Sequence, residues 1–213
     1  MEIGGSTVRR QGFGVGRIEA FSDGVLAIVI TLLVLEIRAP ELHDGTSSAE
    51  AWRALLALAP KVAGFLLSFV FVAVFWVNHH RFFQTVRRAD WALLWSNNLL
   101  LLFLCAIPFP TAFIGDHPRN PVAVALFAAL LTAAGVAFNA MWRQARRRRL
   151  IDPTVDAGTV DRAIRRGMVG PAAYALAALV APFALQVSWV VFGAVPLFYA
   201  WPTRGVAGNE KGE

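Results

Sequence analysis

Apolar residues in this chain come in runs too long for the core helices of a water-soluble domain. The first, RIEAFSDGVLAIVITLLVLEI at 17–37, is broken in its interior by one acid, Asp23. Similar runs predict helices at 51–80, 90–107, 121–145, 159–183 and 187–201, separated by polar segments such as RAPELHDGTSSAE at 38–50. Apolar stretches of about 18 residues or more are long enough to cross a bilayer as helices. The expected fold is therefore an all-α membrane protein with six transmembrane helices over 17–201, between tails at 1–16 and 202–213. Pro60 is expected to kink helix 2 or to push the start of its apolar span to Val62. Pro108-Phe109-Pro110 is expected to end helix 3, and Gln186 and Ser188 to mark the turn between helices 5 and 6. The polar first sixteen residues and the long run after them predict no cleavable signal peptide.

Composition supports the membrane class. The 213 residues are 57% hydrophobic and 16% charged, with a mean hydropathy of +0.55. Soluble domains lie near 45–50% apolar and about 25% charged. Seven Trp and sixteen Phe suit lipid contact and the membrane interfaces. The net charge of +6 does not read as a nucleic-acid surface, because the arginines gather at the ends of apolar runs. If the N-terminus lies inside, sixteen of the twenty Lys and Arg face the cytoplasm. They include Arg9, Arg10, Arg17, Arg81, Arg87, Arg88, Arg143, Arg146 to Arg149, Arg204 and Lys211; only Arg38, Arg53, Lys61 and Arg119 lie opposite. That asymmetry predicts cytoplasmic N- and C-termini. The Arg146–Arg149 run reads first as a topology anchor and second as a contact for anionic lipid headgroups. One cysteine, Cys105, excludes a disulfide framework.

The first helix has two different faces. At roughly 100° per residue, Ile28, Leu32 and Leu35 form one apolar stripe, with Gly24 and Thr31 at its edges. Asp23 points about 140° away from Ile28. An acid at that depth costs roughly 2.5–3.5 kcal/mol to insert and so requires partners. The antiparallel second helix returns to the same depth at Trp76, Asn78, His79 and His80, and the third reaches it at Asn97 and Asn98. A hydrogen-bond network of these side chains with Ser22, Asp23 and Arg17 is expected, since lipid offers them nothing. The adjacent histidines diverge by about 100° and lack further ligands, so no metal site is expected. No phosphate-binding Gly-rich loop, HExxH or GxSxG occurs, and no cofactor or catalytic activity is expected. Mid-helix 1 carries only Thr31, with no ionisable group for a proton relay.

The segment RIEAFSD, with Arg17, Phe21, Ser22 and Asp23, resembles the RxxxFSD signature of the transmembrane-protein-175 family of potassium channels in its prokaryotic form. FWVNHHRFF at 75–83, SNNLLLLF at 96–103 and IPFPT at 107–111 extend the likeness over roughly the first half of the chain. The resemblance implies a passive, potassium-selective channel in a bacterial inner membrane, built as a homotetramer around a pore lined by helix 1. It implies an apolar constriction at Ile28, Leu32 and Leu35, a pore-facing hydroxyl at Thr31, and no TVGYG filter, which this chain lacks. It assigns Arg17, Phe21, Ser22 and Asp23 to holding helix 1 against the helix 2 histidine region. Its permeant partner is the potassium ion, in a lipid surround. The competing readings are a secondary transporter or permease with its site at an Asp23/His80 network, and a membrane enzyme using the histidines.

Overall fold

Helix α1, Val15–Leu32, tightens into a 3-10 turn at Leu33–Glu36. Its buried residues, Ile18, Ser22, Leu26, Val29 and Leu33, recur every three or four positions and make one stripe. That stripe packs on α3 and α4. The structure is a computed structural model and describes residues 14–200. Arg9, Arg10, Arg204, Lys211 and most of both expected tails lie outside the described residues.

The single expected helix over 51–80 is two helices. Helix α2, Ser48–Leu56, buries no residue and begins with a capping box. The Glu50 N–H donates to Ser47 Oγ, while the Ser47 N–H and O–H donate to Glu50 Oε2. These bonds hold the Glu50 carboxyl below its ordinary range. Helix α3, Ala59–Thr85, then starts with Pro60 in its first turn. The missing proline N–H has no partner to lose there, so Pro60 opens the helix instead of kinking it.

The Pro108-Phe109-Pro110 break also resolves differently. Helix α4, Trp91–Cys105, is capped by Asp90, which accepts from the Leu93 N–H at 2.8 Å. Helix α5, Pro108–Asp116, follows almost directly. Both prolines fall in its first turn, where N–H groups are unpaired in any case. Together they form one apolar span, Trp91–Asp116.

Helix α6, Pro121–Arg147, packs against α4 and α8. It ends in a Schellman motif: the Leu150 N–H donates to Ala145 O and the Arg149 N–H to Arg146 O. Arg149 stands at φ 54°, in the left-handed position that glycine usually fills. A residue with a Cβ gives up about 1–2 kcal/mol there.

The expected helix over 159–183 divides at Gly167-Met168 into α7, Ala157–Arg166, and α8, Val169–Val180. Side chains from two other helices hold the division. Asn139 of α6 donates to Ile164 O at 2.7 Å. The Tyr199 hydroxyl donates to Arg166 O and accepts from the Gly170 N–H. Helix α9, Leu185–Ala200, folds back on α8, tied by Ser188 Oγ donating to Ala177 O at 2.8 Å. Gly135 allows α6 and α8 to approach, since a Cβ there would lie 2.6 Å from Pro171. Phe71, Phe127, Tyr174 and Phe192 join α3, α6, α8 and α9 edge to face.

Four elements are long and apolar enough to cross a bilayer: Val15–Glu36, Ala59–Thr85, Trp91–Asp116 and Pro121–Arg147. Helices α8 and α9 are apolar but shorter. At 1.5 Å per residue α8 covers about 18 Å, against a hydrocarbon core of about 30 Å.

Candidate functional site

Helix α1 meets α3 antiparallel, so residues four apart on one pair with residues four apart on the other. Trp76 Nε1–H donates to Asp23 Oδ1 at 2.9 Å. One turn toward the basic end, His80 Nδ1 lies 2.7 Å from Glu19 Oε1 and donates to it. Gln84 Nε2–H donates to the other ring nitrogen of His80 at 2.9 Å. The Trp76 and His80 rings lie nearly parallel, with centroids 6.3 Å apart.

A second chain of bonds runs through the interior. His79 Nε2–H donates to Asn97 Oδ1 at 2.8 Å, because that oxygen only accepts. Asn97 Nδ2–H donates to Ser22 Oγ at 2.9 Å, and the serine O–H donates to Ile18 O at 2.8 Å. His79, Asn97 and Ser22 are fully buried. One directional chain thus ties α3, α4 and α1 at one depth. In a membrane-embedded bundle such bonds replace the water that lipid cannot supply.

Sequence reasoning had joined Asp23 to His80, and the structure does not. Asp23 takes the indole, and His80 reaches Glu19. The histidine lies a full turn further along α3 than Trp76, so its partner is a full turn earlier on α1. Glu19 and Gln84 were missed; their signal was this antiparallel i, i+4 register. Trp76, His79 and His80 do not share one environment. His79 turns into the bundle, while the other two lie exposed at the α1–α3 seam. Among the described residues, Arg17 and Asn98 make no side-chain hydrogen bond in this network, and Phe21 is exposed. No group of three or more His, Cys, Asp or Glu among the described residues is placed to hold a metal.

The opposite face of α1 touches nothing in the single chain. Ile28 is 59% exposed and Leu35 66%, with Gly24, Thr31 and Leu32 also open. Leu26 and Val29, between them in sequence, are 1% exposed. A Cβ added at Gly24 would meet no atom within 4 Å. The Thr31 hydroxyl donates back to Ile28 O at 2.8 Å. That bond uses its proton and leaves oxygen lone pairs to face outward. An apolar stripe carrying one acceptor oxygen is thus held outward by a polar anchor behind it.

Fold and site together define a multi-pass, all-helical membrane protein whose first helix is fixed from one side and open on the other. Residues 17–108 match the family model described as "Endosomal/lysosomal potassium channel TMEM175". A potassium channel of Chamaesiphon minutus is 39% identical over 189 residues, covering 87% of this chain and 93% of its own. One from Streptomyces collinus is 37% identical over 202 residues, covering 90% and 97%. The crystal structure of a lysosomal potassium-selective channel TMEM175 homologue from Chamaesiphon minutus superposes with a TM-score of 0.77. It shares 38% identity over 87% of this chain and 96% of that one. The chain belongs to the TMEM175 family, a family of ion channels and not of enzymes.

Proposed function

We propose that this protein is a potassium channel of a bacterial inner membrane, in which four copies bring their α1 helices together around one pore. The observation that carries the reading is the open stripe of α1, set opposite a buried stripe and a closed hydrogen-bond chain. Ile28, Leu32 and Leu35 form the constriction, and Thr31 offers an oxygen to the ion. A narrow apolar ring gates by dewetting, and it favours potassium over sodium because potassium gives up its water more easily. Ser22, Asp23, Trp76, His79 and Asn97 hold α1 in register, with Arg17, Phe21, Gly24, His80 and Asn98 completing the set at the same level. Helices α8 and α9 complete six spans, with both termini in the cytoplasm.

The test is a planar bilayer holding purified protein, with potassium on one side and sodium on the other. Unitary currents reversing toward the potassium potential are expected; each tenfold of preference moves the reversal by about 59 mV. Slow, saturable, electroneutral flux would instead identify a carrier working at the α1–α3 seam.

A further inference from the structure

The connectors that follow α3 and α6 are stitched to each other. Val86 pairs with Ile151 in an isolated antiparallel bridge. The Arg87 N–H donates to Leu150 O at 3.0 Å, and the Asp152 N–H to Thr85 O at 2.9 Å. This stitching frames a cavity of about 330 Å³ lined by Arg87, Arg88, Arg149, Ile151 and Pro153. We propose that the cavity binds a phosphate group, supplied by the headgroup of an anionic membrane lipid.

Three guanidiniums around one small space carry the argument. Other arginines at this end have carboxylate partners: Arg146 with Asp161, Arg148 with Asp90, and Arg162 with Asp156. Arg87, Arg88 and Arg149 stand in no ion pair among the described residues. The acids nearby are engaged elsewhere. Asp90 caps Leu93 through one oxygen and takes Arg148 on the other. Asp152 Oδ1 accepts from the backbone and hydroxyl of Thr154. The cavity therefore keeps an uncompensated positive potential. Planar guanidinium forks match the paired oxygens of a phosphate.

The backbone adds a second observation. Arg149 occupies the left-handed C′ position of the α6 Schellman motif, where glycine would fit without strain. An arginine there contributes its side chain to the cavity and nothing to the cap. The position favours lipid as the source of the phosphate. Val86 and Leu150 beneath the cavity are buried, and Trp91, opening α4 close by in the chain, is exposed as interfacial indoles are. Basic pockets between helices at that level bind anionic headgroups. The inference stands independently of where the pore lies.

Native mass spectrometry of the full-length protein tests it, from detergent carrying equal phosphatidylglycerol and phosphatidylcholine, with a separate arm in inorganic phosphate. Selective retention of phosphatidylglycerol is expected. Arg149→Gly should weaken it about fivefold, the effect of one arginine near a membrane surface. The same change should leave the unfolding temperature unchanged or higher, since glycine suits the backbone. Arg88→Gln should weaken retention similarly, and Arg147→Gln, outside the cavity, should not. Inorganic phosphate bound with the same sensitivity to these variants would uphold the phosphate site and make the free anion its source. Equal retention by Arg149→Gly, equal loss in Arg147→Gln, or no selective binding of either probe would overturn the proposal.

Discussion

Replacing Ile28 with asparagine is expected to raise unitary potassium conductance by about tenfold and to lower the preference for potassium over sodium. A tenfold gain needs only about 1.4 kcal/mol off the barrier. Leaving one polar group without a hydrogen bond costs roughly 2–7 kcal/mol, so a hydrated amide at a dry ring has ample leverage. The side chain is open in the single chain, so the change leaves the fold of the subunit alone. Val29→Asn makes the contrast. Val29 is buried, so the same amide there destabilises the subunit without opening a path. Single-channel recording of both variants separates a pore-lining residue from a packing one.

Asn97→Leu is expected to give the largest loss of stability in the anchor, about 2–3 kcal/mol. It removes the bonds to His79 and Ser22 and leaves the buried His79 Nε2–H without an acceptor. Ser22 keeps its bond to Ile18 O. At roughly 2–4 °C per kcal/mol for a chain of this size, the unfolding temperature in detergent should fall by about 5–10 °C. Asp23→Ala breaks only the half-exposed bond to Trp76 and should cost less. Its expected signature is a smaller fraction of tetramer by light scattering, with unaltered selectivity in the channels that assemble. Lost selectivity with tetramers intact would move the ion path to the Asp23 face.

The all-helical membrane class was legible because span length and apolar content are properties of contiguous sequence. The two faces of α1 were legible because 100° per residue separates Ile28 from Asp23 whatever surrounds them. The prolines misled for a local reason. Pro60, Pro108 and Pro110 act as helix starters, and whether a proline opens a helix or breaks one depends on where the turn before it ends. The division between α7 and α8 was not readable, since Asn139 and Tyr199 hold it from distant elements. The polar residues of the anchor could be recognised by depth, but their pairing required the register of α1 against α3. One turn of offset sends His80 to Glu19 and leaves Asp23 to Trp76.

The central claim is that the open face of α1 lines the ion path, and substituted cysteines test it most directly. Cys105 is exposed, so it is first replaced with serine. On that background Ile28→Cys, Thr31→Cys and Leu35→Cys are each recorded in bilayers before and after a charged thiol reagent. The account predicts block of the potassium current at all three positions, and none for Leu26→Cys or Val29→Cys. Block at Leu26 or Val29, with positions 28, 31 and 35 silent, would contradict it.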